Sequence, residues 1–326
     1  MAELGRLFRR RGDKAQPPQA KSPGATELFR LCYAVRVRAL AFSPSGKYLA
    51  HGYGRNGADR VDVRLMPDRT LTALFEHDRT VACIAFAPDE EILAASSEDG
   101  QVQLRRVANG ARVRSWSEVD AFVSSLAFSP DGMSLAVAHG SRIGLRKVED
   151  GTSLRSWEGH KTLVNSVAFS PDGKTLASAS GERAGFYAED NTVRQWDVAS
   201  GELVHTLGGH TAGILGISFS PDGQLLASAS TDCTVGLWRL SDARLLHSLQ
   251  GHQGPVNGVA FSPDGQVIAS AGGLGDGTVR LWDVSKGALL ETIAIPGKVP
   301  SWCVAFAPDG GTLVIGADGV LLRQLK

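Results

Sequence analysis

The chain has 326 residues, of which 43% are hydrophobic and 21% are charged, and its formal net charge is zero. This balance argues against general binding of nucleic acid or anionic membranes, and no apolar run of about 18 residues predicts a membrane span. The first residues lack the apolar stretch of a signal peptide, and the four cysteines lack metal-like spacing. We therefore expect a cytoplasmic protein with reduced cysteines.

Residues 1–25 differ in composition from the rest of the chain. They carry six basic residues against two acidic ones, and three prolines interrupt regular structure. We expect a disordered basic tail here and a single domain over residues 26–326, with 28 basic and 32 acidic residues. Leu4, Leu7 and Phe8 lie at helical spacing beside arginines. This spacing leaves open a short anchor for an acidic partner or a membrane surface.

After the tail, one module recurs along the whole chain. An apolar strand ends in Phe, a turn of the type Ser-Pro-Asp-Gly follows, and a second strand leaves the turn. Seven copies are present, at Phe42, Phe86, Phe128, Phe169, Phe219, Phe261 and Phe306. Successive copies are 41 to 50 residues apart, which is typical of four-stranded propeller blades. Pro fixes φ, Asp binds nearby backbone and Gly adopts a positive φ, so each turn predicts a tight hairpin; Ser45 and Glu90 depart from the pattern.

Three repeats carry further markers, which are Gly159-His160 with Trp196-Asp197, Gly209-His210 with Trp238, and Gly251-His252 with Trp282-Asp283. With these markers the module resembles a WD40 repeat over about residues 26–326. The resemblance implies an all-β fold, a seven-bladed β-propeller of four-stranded antiparallel blades. The other repeats are less regular: the second keeps Asp99 but has Arg105 where Trp is expected, and the seventh has Leu321-Leu322 there.

The ring needs a closing strand because the last repeat is short. Its predicted strands are Val299–Phe306, Thr312–Ile315 and Val320–Leu325, after which the sequence ends. A spare strand-like run, Glu27–Tyr33, precedes the first turn. We predict that this N-terminal run is the outer strand of the last blade, which leaves the ring without an open sheet edge.

Blades four to six share a recurring set of His, Ser, Asp and Trp. The sets are His160, Ser178, Asp190 and Trp196; His210, Ser228, Asp232 and Trp238; and His252, Ser270, Asp276 and Trp282. Ser, His and Asp together raise the alternative of a hydrolase triad. The WD40 resemblance instead implies an internal hydrogen-bond chain from Asp to His to Ser to the indole, and three copies fit a structural role better. Motifs for phosphate binding, paired metal ligands or a nucleophile elbow are missing from the sequence, so we expect no catalytic residue, cofactor or metal.

The resemblance also implies where a partner would bind. In such propellers, positions six and four residues before each repeat Phe line the central opening on the docking face. Here the outer set is Arg36, Thr80, Phe122, Leu163, Gly213, Pro255 and Pro300, and the inner set is Arg38, Ala82, Ser124, Asn165, Leu215, Asn257 and Trp302. The large apolar and arginine members have the composition of interface hot spots. Phe186 and Tyr187, in the longest inter-strand insertion, fall on the same face.

The predicted partner-binding residues are Arg36, Arg38, Phe122, Leu163, Asn165, Phe186, Tyr187, Leu215, Asn257 and Trp302. The sequence thus predicts a non-enzymatic scaffold or sensor, monomeric on its own, that binds a protein or peptide. The repeats resemble those of bacterial WD40 propellers that accompany signalling kinases or ATPases, which favours a regulatory role by analogy of fold. Two alternatives remain: a propeller lactonase or hydrolase with its site in the central channel, and an adaptor that acts through the basic tail.

Overall fold

The computed structural model describes residues 28–30, 36–55, 58–118, 122–182 and 189–325, so the predicted tail over residues 1–25 lies outside the described residues. The described strands form seven sheets of four antiparallel strands each, arranged as a propeller ring, which confirms the predicted fold. No helix among these residues is long and apolar enough to cross a membrane.

The seven blades follow one another in chain order. Their strands are, in blade 1, β2 (Val37–Phe42), β3 (Tyr48–Arg55), β4 (Ala58–Leu65) and β5 (Thr70–His77); in blade 2, β6 (Val81–Phe86), β7 (Ile92–Ser97), β8 (Gln101–Arg106) and β9 (Arg112–Ser117); in blade 3, β10 (Val123–Phe128), β11 (Ser134–His139), β12 (Arg142–Lys147) and β13 (Ser153–Glu158); in blade 4, β14 (Val164–Phe169), β15 (Thr175–Ser180), β16 (Thr192–Asp197) and β17 (Leu203–Gly208); in blade 5, β18 (Ile214–Phe219), β19 (Leu225–Ser230), β20 (Thr234–Arg239) and β21 (Arg244–Gln250); in blade 6, β22 (Val256–Phe261), β23 (Val267–Gly272), β24 (Thr278–Asp283) and β25 (Leu289–Ala294); and in blade 7, β26 (Cys303–Phe306), β27 (Thr312–Ala317), β28 (Gly319–Gln324) and β1 (Leu28–Arg30).

The N-terminal strand closes the ring as predicted. β1 pairs antiparallel with β28, with Leu28 opposite Arg323 and Arg30 opposite Leu321. A further bridge joins Arg36 to Asp318 where the chain enters blade 1. The prediction holds for residues 28–30, and the other residues of the predicted run lie outside the described part. Because β1 and β28 share one sheet, separating the two ends of the ring would break backbone hydrogen bonds in blade 7.

The recurring turns link each blade to the one before it. In blade 4, Ser170 Oγ accepts a hydrogen bond from the Thr175 amide at 3.0 Å and donates one to Asp172 Oδ1 at 2.6 Å. Gly173 has φ +70°, and a Cβ there would lie 3.3 Å from Cδ of Pro130 in the preceding turn. Glycine therefore serves both the left-handed backbone and the close approach of neighbouring turns.

The two departures from the turn pattern contact each other. Glu90 replaces the glycine of blade 2 and keeps its left-handed backbone, with φ +61°. Its carboxylate accepts hydrogen bonds from the backbone amide of Ser45 and, at 2.8 Å, from Ser45 Oγ. Although partial burial opposes the shift, these bonds lower the pKa of Glu90. The irregular turns of blades 1 and 2 are thus joined by a polar contact.

The core consists of apolar layers between neighbouring blades. One cluster joins Leu145 and Trp157 of blade 3 to Val164, Leu176 and Trp196 of blade 4. Equivalent clusters place Trp238 against blade 4 and Trp282 against blade 5. Second-strand residues on these faces are fully buried, which is expected for strands covered by a sheet on each side.

Strand register shows what replaces tryptophan in the other four blades. Trp196 pairs with Leu176, Trp238 with Leu226 and Trp282 with Ile268, in each case one strand inward. At the same register position the other blades carry Arg64, Arg105, Arg146 and Arg323. The predicted equivalence of Leu321-Leu322 with the tryptophan in blade 7 is therefore wrong. The neighbouring Arg323 takes that place, because β28 aligns one residue later than the sequence pattern indicated.

Candidate functional site

A cavity of about 350 Å³ lies where the inner strands of all seven blades begin. All seven residues of the predicted inner set line it, one from each blade. Phe122 and Pro255 of the outer set line it as well, together with Glu98 and Leu274. We call this space the central cavity.

The central cavity has an apolar side formed by blades 3, 5, 6 and 7. Phe122, Leu215 and Trp302 line it and are half-buried, so part of each side chain is open to solvent. Leu163 is 43% exposed but does not line the cavity. The structure therefore brings three of the predicted apolar residues together and places the fourth outside the cavity lining.

Three polar members of the inner ring hold neighbouring blades together. Asn165 Nδ2 donates to the carbonyl of Ile214 in blade 5 at 3.0 Å and to that of Gly181 at 2.6 Å. Asn257 Nδ2 donates to the carbonyl of Ser301 at 2.8 Å, and Ser124 Oγ donates to that of Val164. The bonds to Ile214, Ser301 and Val164 each link one blade to the next, whereas the bond to Gly181 lies within blade 4. The side chains of Asn165 and Asn257 thus have structural partners in addition to their place at the cavity.

The inner-strand position three residues before the repeat Phe forms a second series of links between blades. Ser125 Oγ accepts a hydrogen bond from the Val167 amide at 3.1 Å, and Ser166 Oγ accepts one from the Ile217 amide at 3.3 Å. In blade 2 the same role falls to Cys83, whose Sγ accepts from the Leu126 amide at 3.3 Å. Burial raises the pKa of the Cys83 thiol, so it remains protonated and its role is structural.

A cluster of charged groups lies on the blade 1 side of the central cavity. The guanidinium carbons of Arg36 and Arg38 lie 5.0 Å and 5.6 Å from the centre of the Trp302 ring. Arg38 Nη1 also lies 2.8 Å from Glu98 Oε1, which joins blade 1 to blade 2. Arg36 is exposed and has no ion pair with any residue that the structure describes. A smaller cavity of about 310 Å³ adjoins both arginines.

Leu274 is a cavity residue that the sequence reasoning missed. It is 69% exposed and lies in the loop between β23 and β24 of blade 6. Three glycines in this loop, Gly273, Gly275 and Gly277, surround it in the sequence. A leucine among glycines in a longer inter-strand loop is a signal that could have found it. Phe186 and Tyr187, predicted in the corresponding loop of blade 4, lie outside the described residues.

The lining of the central cavity offers binding groups rather than a catalytic set. Among the described residues, Glu98 is the one carboxylate in its lining and no histidine lines it, while Ser124 is engaged with a backbone carbonyl. Over the described ranges, no group of three or more His, Cys, Asp or Glu residues has metal-binding geometry. These side chains can bury apolar groups and pair with charges on a bound molecule.

The polar sets of blades 4 to 6 form hydrogen-bond chains within each blade. In blade 5, His210 Nδ1 lies 2.8 Å from Asp232 Oδ2, His210 Nε2 lies 2.7 Å from Ser228 Oγ, and Trp238 Nε1 donates to that hydroxyl at 2.8 Å. Blade 4 has the same contacts, at 2.9, 2.7 and 2.8 Å. Although burial opposes it, the bond from His210 lowers the pKa of Asp232 to about 2.

The chain of blade 6 is the least well aligned. His252 Nε2 lies 2.6 Å from Ser270 Oγ, and Trp282 Nε1 donates to that hydroxyl at 2.8 Å. His252 Nδ1 lies 3.1 Å from Asp276 Oδ2 but is not aligned for a hydrogen bond. Burial lowers the pKa of His252, opposed by the Asp276 carboxylate.

Half of such a set, which the sequence reasoning missed, joins the end of blade 1 to blade 2. His77 stands 18 residues before Ala95, as His210 stands 18 residues before Ser228, but Glu76 replaces the preceding glycine. The side chain is buried, and its Nδ1 lies 3.2 Å from Ser97 Oγ. Burial lowers the pKa of His77 to about 4. Because glutamate stands where the other sets have glycine, the sequence pattern did not identify His77 as the equivalent of their histidines.

Comparison with known proteins finds two WD40 families, each over part of the chain. The family described as "WD domain, G-beta repeat" matches residues 151–197, 201–239 and 243–283, and the "Anaphase-promoting complex subunit 4 WD40 domain" matches residues 63–121 and 84–166. An uncharacterized WD repeat-containing protein of Schizosaccharomyces pombe is 34% identical over 85 residues, covering 25% of this chain and 14% of the relative.

Two further relatives carry informative names. Periodic tryptophan protein 2 homolog of Neurospora crassa is 33% identical over 105 residues, which covers 32% of this chain and 11% of the relative. Serine-threonine kinase receptor-associated protein of Rattus norvegicus is 28% identical over 107 residues, which covers 33% of this chain and 29% of the relative. The matched region thus spans less than a third of the length of each of these relatives.

Proposed function

This chain is a WD40-repeat protein with a seven-bladed propeller, and from that premise we propose that it is a non-enzymatic scaffold or sensor. In this proposal the central cavity holds a segment of a peptide or protein partner. The WD40 repeats and the names of the relatives support an interaction role. One relative is named for its association with a serine-threonine kinase receptor, which supports a place in signalling or regulation.

The observation that carries the proposal is the convergence of open apolar side chains on one cavity. Phe122, Leu215, Leu274 and Trp302 reach it from four different blades. Its volume of about 350 Å³ is in the range of ligand sites, about 300–1,000 Å³. Burying aromatic side chains at the centre of a contact gives the largest binding energies in protein interfaces. An apolar side chain of the partner would therefore insert beside Phe122 and Trp302.

The charged cluster defines the second requirement on the partner. Arg38 is already paired with Glu98, so Arg36 is the better candidate to bind an acidic group. Its position above the Trp302 ring orients the guanidinium and leaves it exposed. The proposed ligand thus combines an apolar side chain with a nearby carboxylate.

The double variant Phe122→Ala with Trp302→Ala tests this function. Tagged wild-type protein and the variant would be used for affinity purification from the native host, with bound proteins quantified by mass spectrometry. We expect the specific partner to be lost from the variant, since removal of two hot-spot residues of about 2 kcal/mol each lowers affinity by a factor of roughly 10³.

A matched control separates the cavity from the outer surface. Leu154→Ala with Leu203→Ala removes two exposed leucines from the outer strands β13 and β17. This control should retain the partner. Retention of the partner by the folded cavity variant would contradict the proposal and place binding on the rim or on residues 1–25.

A further inference from the structure

A second recess lies on the side of the ring, between blades 6 and 7. It has a volume of about 790 Å³, and we call it the seam groove. Its apolar lining includes Val267, Leu281, Leu290, Phe306 and Leu325. Leu290 is 55% exposed and lies beside these other apolar groups. The groove is therefore an apolar surface that the described residues leave open.

The described part of the outer strand of blade 7 begins beside the groove. β1 pairs with β28 from Leu28, opposite Arg323, to Arg30, opposite Leu321. Arg323 lines the groove together with Gln324 and Leu325, which pair on the inner side of β28 with Thr312 and Gly311. The first described residue of β1 is thus paired to a residue of the groove, and residues 1–27 precede it in the sequence.

The charged residues that line the seam groove are mostly acidic. Asp264, Glu291 and Asp309 line it against a single basic residue, Arg323. Arg323 Nη2 lies 2.5 Å from Glu291 Oε1, so these two charges neutralise each other. Asp264 and Asp309 are exposed turn residues. An occupant of this groove would be apolar in part and basic in net charge.

From these observations we infer that the segment before β1, residues 1–27 of the same chain, docks in the seam groove. Leu28, the first described residue of β1, pairs with Arg323, which lines the groove. The segment is therefore joined to the ring beside the groove. Docking within one chain also costs less entropy than binding a separate molecule.

The composition of the segment matches the groove. Residues 1–27 carry six basic residues against three acidic ones, and they include Leu4, Leu7 and Phe8. Arginines of the segment would pair with Asp264 and Asp309, and the apolar residues would cover Leu290 and Phe306. Leu28 lies twenty residues after Phe8 in the sequence. An extended chain of that length spans up to roughly 70 Å, so reach does not limit the contact.

Photo-crosslinking in the full-length protein tests the inference. Phe8 is replaced by p-benzoylphenylalanine, the protein is irradiated, and the cross-linked peptides are mapped by mass spectrometry. An equal mixture of isotopically light and heavy protein separates links within one chain from links between copies. We expect cross-links to peptides that contain Leu290 or Phe306, with both halves of each link carrying the same isotope.

Charge reversal gives the matched comparison. Asp264→Lys should lower the yield of these cross-links about fivefold, as expected for the loss of about 1 kcal/mol of ion pairing. Asp222→Lys is the control, because Asp222 makes the same turn contacts in blade 5 but does not line the groove. An unchanged yield in Asp264→Lys, mixed-isotope links, links to the central cavity or the absence of any link would each overturn the inference.

Discussion

Blades 4 to 6 and the other four blades solve the same packing problem with different residues. In blades 4 to 6 a tryptophan of the third strand packs against the preceding blade and donates a hydrogen bond to a serine of its own blade. In blades 1, 2, 3 and 7 an arginine occupies that register position. The two groups of blades can therefore be compared at one position for two contacts, which are packing against the preceding blade and the hydrogen bond to serine.

Three of the four arginines keep the contact with the preceding blade. The guanidinium carbon of Arg105 lies 5.0 Å from the centre of the Phe75 ring in blade 1, and that of Arg146 lies 5.7 Å from the Trp116 ring in blade 2. Arg323 pairs with Glu291 of blade 6. Among the described residues, the chain through His, Ser and Trp occurs in blades 4 to 6, and a His–Ser contact alone occurs between His77 and Ser97. Contact with the preceding blade is therefore more widespread around the ring than the internal chain.

Three of the arginines also donate a hydrogen bond to a backbone carbonyl of their own hairpin. Nη1 of Arg64, Arg105 and Arg146 donates to the carbonyl of Arg69, Gly110 and Gly151 respectively, each in the turn between the third and outer strands. A long side chain with five donors can bind this carbonyl and the neighbouring blade at once. Indole has a single donor, which the serine takes in blades 4 to 6.

Truncation to alanine should give the largest difference in the free energy of unfolding between blades 4 to 6 and the other four blades. Trp238 is 1% exposed, so Trp238→Ala leaves a cavity and a serine without its donor, and we expect a loss of about 3–5 kcal/mol in the free energy of unfolding. Arg105→Ala loses a cation–π contact and hydrogen bonds at a half-buried site, and we expect a loss of about 1–2 kcal/mol. Urea unfolding of both variants measures the difference.

Trp238→Phe distinguishes packing between blades from the hydrogen bond to Ser228, because it removes the indole donor and keeps an aromatic ring. It should cost less than Trp238→Ala by at least about 1 kcal/mol if packing between blades dominates. Equal losses for the two Trp238 variants would show instead that the hydrogen bond to Ser228 carries the effect.

Acid should lower the stability of the protein through two buried histidines of blade 1, which is one of the blades that carry arginine in place of tryptophan. Burial lowers the pKa of His51 and of His77 to about 4, from an ordinary value of 6.5. Since the unfolded chain binds these protons more readily, the stability that each neutral histidine contributes is present above pH 6.5 and is lost as the pH falls toward 4. A shift of this size corresponds to about 3 kcal/mol per group.

The variant His51→Leu measures this effect. Its stability relative to wild type should be constant above pH 7 and should improve by up to about 3 kcal/mol between pH 6.5 and pH 4. Urea midpoints at successive pH values give the curve. Parallel curves for the variant and wild type over the whole range would contradict a depressed pKa at His51.

The blades and the closing strand could be predicted from the sequence because period and turn chemistry locate the hairpins. The positions that line the central cavity came from the resemblance to WD40 propellers, which relates a place before the repeat Phe to the central opening. The identity of the tryptophan substitute in blade 7 depends on register between β27 and β28, which one strand does not specify. The hydrogen bonds of Asn165 and Asn257 depend on carbonyls of another blade, so no local pattern indicates them.

The smallest expected effect compares two aspartates at equivalent positions. Asp232 stands four residues after Ser228, and Asp99 stands four residues after Ala95. Asp232 accepts from His210 Nδ1 and from the amides of Thr211 and Thr234, whereas the exposed Asp99 accepts from Ser97 Oγ and from the Gln101 amide. Asp232→Ala should therefore cost about 1–3 kcal/mol, and Asp99→Ala less than about 1 kcal/mol.

Partner binding distinguishes a structural from a functional role for Asp232. The residue does not line the central cavity, so Asp232→Ala should retain the partner while its unfolding midpoint falls. Because hydrogen bonds lower the pKa of Asp232 against the opposing effect of burial, its contribution is present above about pH 4 and is lost as the pH falls toward 2. The midpoints of Asp232→Ala and wild type should accordingly converge in acid. An unchanged midpoint at pH 7 would mean that the hydrogen-bond chain adds nothing to the packing of blade 5, and that tryptophan and arginine differ only in the surface they bury.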